Sequence, residues 1–451
     1  MKSKECKYNF IHLLFKSQNM RQKLLSEGAK ELEYEIRDIV KKAEKIEAYG
    51  QKIYWENIGD PIQKNAQIPD WIKNVVSDLV QKDSTYGYCH SKGDLETRKF
   101  LASENNKKGG VSLDANDILF FNGLGDAIAK VYQYLAPSSR VIGPSPAYST
   151  HSSAEAAHAN KEPITYKLDP ENNWYPDTKE LRNQVKYNPN IIGILIINPD
   201  NPTGMVYPLD ILKDIVDIAK EFDLFIISDE IYNNITYNGK EAHSISEIIG
   251  EVPAIAMKGI SKQLPWPGSR CGWMEFYNRK SDHEFDRLCH ALEDAKMIEV
   301  CSTTLPQKVI PKVLGSEKFI NYRKEENEKI GRRSKIISEI LSDVPFLYFN
   351  ETFGAFYNTM VFKEGSLKKG ASLKIEDPKI KLILDSWLKN DMDLDKVFVY
   401  YLLAAKGVCV VPLSSFHSEL KGFRVTLLEN DEKLLIEIFT KIKEALYEFC
   451  S

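Results

Sequence analysis

The sequence predicts an α/β fold: a large domain around a mostly parallel central sheet, joined to a smaller α+β domain. Three observations carry this expectation. A chain of 451 residues is too long for one ordinary core. From roughly Tyr86 to Met297, strand-like apolar runs alternate with helix-like periodicity. The run Ile191–Ile197 is almost continuously apolar, as a strand covered on both faces must be.

Taken in order, residues 1–30 read as an N-terminal arm that could clasp a partner. A helix is expected from about Ala29 to Ala48, where Leu32, Ile36, Ile39, Val40, Ala43 and Ile46 recur at helical spacing and Gly50 stops the run. The turn-rich Asn57–Pro61 follows, then a helix containing Trp71, Ile72, Val75, Val76 and Leu79. Expected strands are Asp117–Phe121, Arg140–Ile142, Pro163–Thr165, Ile191–Asn198, Leu224–Ser228 and Ala254–Lys258. The helices between and after them are Gly125–Leu135, Tyr148–Ala159, Thr178–Val185, Pro208–Glu221 and Phe285–Glu299. After Pro311 a long charged helical region runs through about Leu341. Strands of the smaller domain are expected at 347–350, 355–362, 408–411 and 423–428, and a last helix at 431–449. The resulting division is a small domain of residues 31–65 and 325–451 and a large domain of 66–324.

Composition excludes several classes. Lys+Arg 60 against Asp+Glu 64 leaves a net charge of -4, so no basic surplus points to nucleic acid or an acidic membrane. Seven cysteines at wide spacing, with no Cys-x-x-Cys, argue against a disulfide scaffold or a structural zinc site. No metal is expected. The apolar patch Phe10–Phe15 is short for a secretory core, and no run reaches the length of a membrane span. Cytoplasm is the expected compartment.

Polar residues cluster where the predicted strands end, which is where ligands bind in an open parallel sheet. Asn122-Gly123-Leu124-Gly125 follows one strand and opens a helix, a backbone arrangement suited to an anion, or simply a tight turn. Asn201 follows the next such strand, and Asp229 and Tyr232 the one after. Then comes Ser261-Lys262, with Arg270 eight residues beyond the lysine. This set suits a phosphorylated aromatic aldehyde held as a Schiff base. Arg270 can pair with the phosphate, and Asp229 can keep a ring nitrogen protonated. Asn201 and Tyr232 can donate to a ring oxygen, Tyr148 can stack on the ring, and Lys262 can hold the aldehyde. Lys258 is the rival lysine, set aside because it still belongs to a strand.

These motifs resemble the class I/II aminotransferases, the aspartate-aminotransferase-like fold-type I enzymes dependent on pyridoxal 5'-phosphate. The resemblance runs from about Asn57 to Leu427. It rests on Asn201-Pro-Thr-Gly204, Asp229-Glu-Ile-Tyr232, Ser261-Lys262 with Arg270-Cys-Gly-Trp273, Tyr88-Cys-His-Ser-Lys-Gly93, Gly354-Ala-Phe-Tyr357 and Phe423-Arg424-Val-Thr426. It implies catalytic roles for Lys262, Asp229 and Tyr232, with Gly123, Leu124, Gly125, Tyr148, Asn201, Ser261 and Arg270 on the cofactor. Arg424 is expected on the substrate α-carboxylate, with Gly59 and Asn201 beside it. Tyr88 is expected to reach the partner's site in a homodimer. Gly259 departs from the Ser-x-Ser-Lys that the family often carries, which removes one phosphate hydrogen bond.

The implied reaction moves an amino group between an L-amino acid and a 2-oxo acid, with aspartate or glutamate as the named candidates and aromatic or alanine-like donors left open. No second cation can be assigned to a distal carboxylate, and Trp55 or the Pro412–Phe416 loop could line a side-chain pocket. A β-lyase or decarboxylase on the same scaffold is the chemical alternative. A non-catalytic binding protein would usually carry an attached DNA-binding domain, for which the arm is short.

Overall fold

The computed structural model describes residues 28–29 and 36–451. The rest of the expected N-terminal arm, and the start of the first expected helix, lie outside the described residues; that helix is described as Ile36–Glu47. An eight-stranded sheet forms the centre. Its neighbours run Ile118–Phe121, Gly272–Tyr277, Ala254–Gly259, Phe225–Asp229, Ile191–Ile197, Arg140–Ser145, Thr165–Asp169 and Tyr175–Pro176. The strands from Ala254–Gly259 to Thr165–Asp169 are parallel, and antiparallel partners flank them on both sides.

The period of two along a strand explains why this sheet is covered twice. Ile194 and Ile196 enter one core with Leu212 and Ile215 of the helix Leu209–Glu221. Leu195 and Ile197 enter the opposite core with Val131 of Leu124–Tyr134 and Leu292 of His283–Ile298. Each such buried side chain contributes about 1.5–3 kcal/mol. Aspartates fix where helices begin: Asp177 accepts from the Lys179 and Glu180 N–H groups, and Asp282 from Phe285.

A second, antiparallel sheet runs Leu347–Tyr348, Tyr357–Phe362, Gly422–Thr426, Val411–Pro412. Phe423 and Val425 pack there against Phe398 and Leu402 of Leu394–Lys406 and Ile438 and Ile442 of Glu432–Cys450. The two sheets meet at the turn Asn201–Gly204. Thr359 Oγ1 donates to Pro202 O at 2.8 Å, and the N–H groups of Phe353 and Gly354 both reach Gly204 O at 2.9 Å.

Several elements depart from expectation. The strand expected at Pro163–Thr165 lies at Thr165–Asp169. The run 408–411 splits into Val408–Cys409, which pairs in parallel with Tyr54–Trp55, and Val411–Pro412. Pro311 lies inside the helix Thr304–Leu314 instead of preceding one long helix, and Ser316 caps the separate helix Glu317–Leu341. The helix Pro378–Trp387 and the strand Gly272–Tyr277 were not expected.

That strand carries Glu275, which the sheet buries. Glu275 meets Lys258 Nζ at 2.7 Å and accepts from Tyr277 Oη and Trp273 Nε1; Glu230 lies 3.5 Å from the same ammonium. Burial alone would depress the Lys258 ammonium, but the charges of Glu275 and Glu230 raise it above the ordinary lysine value. Lys258 is therefore a structural cation between two carboxylates. Lys258→Met should cost about 3–5 kcal/mol, because both carboxylates lose their cation while still buried. Urea denaturation checks this, and an unchanged midpoint would contradict it.

Candidate active site

All of the expected site residues except Gly123 and Tyr88 line one cleft of about 370 Å³ between the two sheets. From the large sheet, Leu124, Gly125, Tyr148, Asn201, Asp229 and Tyr232 line it. Ser261, Lys262 and Arg270 enter from the loop after Ala254–Gly259. Gly59 and Arg424 approach from the opposite side. A volume of this size is ordinary for a cofactor-and-substrate site.

The phosphate end is built from backbone. Gly123 has φ +87 and precedes the helix Leu124–Tyr134 with no side-chain cap on its first N–H groups. A Cβ there would lie 2.4 Å from Arg270 Nη2, so glycine is what lets the guanidinium close on the turn. Arg270 itself is left-handed, φ +47, and donates to Pro267 O. A helix N-terminus, a glycine turn and an arginine thus converge on one spot, a donor set that fits a phosphate. Gly259 has a packing reason of its own. A Cβ there would stand 3.0 Å from Cys271 O and 3.1 Å from Ile231 Cδ1.

Asp229 is buried, and both its oxygens are engaged. His151 Nε2 lies 3.0 Å from Oδ2, and the Ile231 N–H donates to Oδ1. Because Asp229 Oδ2 accepts, the Nε2–H form of His151 holds the carboxylate plane fixed. Sequence reasoning missed His151: it sits 78 residues from Asp229, and only the pairing of their two elements brings them together.

Asn201 Oδ1 accepts from Arg424 Nη1 at 3.3 Å, which leaves its amide N–H₂ as the donor toward the cleft. Burial pushes the Tyr232 phenol well above its usual pKa, and the neighbouring Tyr357 adds to this. Tyr232 therefore remains a proton donor. Lys262 Nζ is turned into the cleft and donates to Gly59 O at 2.8 Å. Lys258, by contrast, is committed to its carboxylates and does not line the cleft.

Arg424 is 3% exposed. Its Nη2 donates to Asn57 O at 2.8 Å, and its ring neighbours are Tyr357 at 4.4 Å and Phe416 at 5.1 Å. Its Nε is buried and has no hydrogen-bond partner. An orphaned guanidinium N–H in a cleft is costly unless a ligand accepts from it, and a carboxylate is the natural acceptor.

Two expectations change and a third residue lies apart. Trp55 pairs with Cys409 and does not line the cleft; Asn57 and Ile58 do. The Pro412–Phe416 loop is the short helix Leu413–Phe416 and touches the site through Phe416 on Arg424. Tyr88 is 84% exposed and stands away from this chain's own cleft. Tyr357, packed between Tyr232 and Arg424, was quoted only as part of a motif and had no role assigned.

Lys262→Ala should abolish the visible absorbance of protein loaded with pyridoxal phosphate, together with nearly all turnover. Lys258→Met should keep the absorbance in whatever fraction folds. The reverse pattern would exchange the two lysines.

Residues 56–438 match the family Aminotransferase class I and II. An uncharacterized aminotransferase of Methanocaldococcus jannaschii is 54% identical over 95% of this chain and 99% of its own length. The glutamate-pyruvate aminotransferase AlaA of Escherichia coli is 30% identical over 79% of this chain and 85% of its own. An alanine aminotransferase structure from Pyrococcus furiosus superposes with a TM-score of 0.81 at 27% identity, covering 94% of this chain and 100% of that one. The chain belongs to the class I and II aminotransferases, with the fold-type I architecture, and is a pyridoxal-phosphate-dependent enzyme.

Proposed function

We propose that this aminotransferase exchanges the amino group between L-alanine and 2-oxoglutarate, giving pyruvate and glutamate. The observation that carries the reading is the orphaned Nε of Arg424, whose guanidinium lies against Tyr357 in a cleft that Val40 and Ile58 also line. The arginine supplies one carboxylate site. Among the described residues lining the cleft, its only companions in positive charge are Arg270 and Lys262. A small side chain such as a methyl group suits that lining. The names of the Escherichia coli and Pyrococcus furiosus relatives support alanine and pyruvate as one pair, and the former supports glutamate as the other.

Bound pyridoxal phosphate would supply the electron sink for electrons released at the substrate Cα. Asp229, held by His151, would keep the ring nitrogen protonated, and Asn201 and Tyr232 would donate to the ring oxygen. Gly123, Leu124, Gly125, Ser261 and Arg270 would hold the phosphate, and Tyr148 would cover the ring. Arg424 would fix the α-carboxylate and so aim the Cα–H bond at Lys262 Nζ, which would carry the proton.

We further propose a homodimer in which Tyr88 serves the partner's site. Tyr86, Tyr88 and Ile298 are 76%, 84% and 84% exposed. Their segments are tied together by Thr304 Oγ1 donating to Gly87 O and Cys89 Sγ to Ser302 O. Such apolar exposure is costly in an isolated chain. The division into residues 66–324 and residues 31–65 with 325–451 is part of the same proposal, supported by the separate cores of the two sheets. The cytoplasm is proposed as its compartment, in keeping with free thiols at all six described cysteines.

The holoenzyme should convert L-alanine and 2-oxoglutarate to pyruvate and glutamate faster than it uses aspartate or tyrosine as donor, in a panel followed by product chromatography. Preference for aspartate or an aromatic donor, or pyruvate release without an oxo acid, would contradict the reading. Sedimentation at micromolar concentration should show a dimer, and Tyr88→Phe should weaken cofactor retention. A fully active monomer would remove the shared site.

A further inference from the structure

Tyr357 opens the strand Tyr357–Phe362 and is 3% exposed. Its hydroxyl lies 3.2 Å from that of Tyr232, while its ring lies against the Arg424 guanidinium. The two tyrosine rings meet edge to face, 5.9 Å apart at 84°. Phe356 packs edge-on against Tyr232 from the same strand end, at 5.3 Å. A Cβ on Gly59 would stand 2.1 Å from Tyr357 Oη, so the hydroxyl rests against the Gly59 backbone. Tyr357 thus touches both Tyr232 and Arg424.

A phenol has a single proton to give. If Tyr232 spends its proton on the cofactor's ring oxygen, its own oxygen is left as an acceptor, and Tyr357 is the donor within reach. That fixes the direction of the 3.2 Å contact in the loaded enzyme. A donor behind a donor polarises the chain, so in this direction Tyr357 makes Tyr232 a stronger hydrogen-bond donor, the reverse of its effect when Tyr232 donates to it and its phenol is pushed up. We propose that Tyr357 is a positioning residue: its hydroxyl donates to Tyr232 and thereby directs and strengthens the Tyr232 hydrogen bond to the cofactor, while its ring roofs Arg424. The proposal rests on the reading that Tyr232 faces the ring oxygen.

A weaker donor leaves more negative charge on the ring oxygen. That charge retains the proton of the neighbouring Lys262 linkage to higher pH. The test is a pH titration of the visible absorbance of the holoenzyme without substrate, in Tyr357→Phe, Tyr232→Phe and the double variant. Tyr357→Phe should raise the midpoint by about half a pH unit, less than Tyr232→Phe does. In the Tyr232→Phe background the same change should add nothing, because the relay is already cut. The phenyl ring still covers Arg424, so KM for the amino donor should change by less than about twofold in Tyr357→Phe and rise further in Tyr357→Leu. An unmoved midpoint in Tyr357→Phe, or an equal rise in both backgrounds, would overturn the relay. A holoenzyme with no visible band would remove the placement of Lys262 itself, and the relay with it.

Discussion

The structure depends on the grip that the smaller sheet keeps on the turn Asn201–Gly204. Thr359 holds Pro202 O, Phe353 and Gly354 hold Gly204 O, and Arg424 holds Asn201 Oδ1. Gly204 must be glycine there: its φ is +76, and a Cβ would lie 2.2 Å from Tyr357 O. The bond between Arg424 and Asn201 is at once a joint between the sheets and a device for orienting the amide. Through it the arginine proposed for the substrate carboxylate is set against the asparagine proposed for the cofactor. Neither sheet alone makes a site.

Charge is sorted with the same economy. Among the described residues three cations line the cleft, and their neighbours are the Pro267 carbonyl for Arg270, the Gly59 carbonyl for Lys262, and an asparagine and a backbone oxygen for Arg424. None is neutralised by a carboxylate hydrogen bond, so all three are available to ligands. Lys258, four residues from Lys262, has the opposite fate between Glu275 and Glu230. The end of the strand Ala254–Gly259 separates a structural cation within it from the amine proposed to react beyond it.

Most of the site was legible because it is local. Asp229 ends a strand of the central sheet and Gly123, Asn201 and Lys262 follow others, so reading the strand ends read the cleft. What escaped is what distant elements bring together. His151 reaches Asp229 from a helix, and Tyr357 reaches Tyr232 from the other sheet. The strand Gly272–Tyr277 escaped for another reason: Glu275 in its middle reads as polar, and Lys258 on the neighbouring strand, with Tyr277 and Trp273, makes its burial tolerable. Pro311 looked like a helix boundary, yet the break falls instead at Gly315 and Ser316. The reading of Trp55 as a pocket wall fails because its pairing with Cys409 holds it outside the cleft lining.

The central claim is that one amine, Lys262 Nζ, carries the cofactor while Lys258 does not. Borohydride reduction of the loaded protein, followed by proteolysis and peptide mass spectrometry, reads this directly. The account predicts a pyridoxyl group on Lys262 alone. A pyridoxyl group on Lys258, or no modified lysine at all, would contradict it.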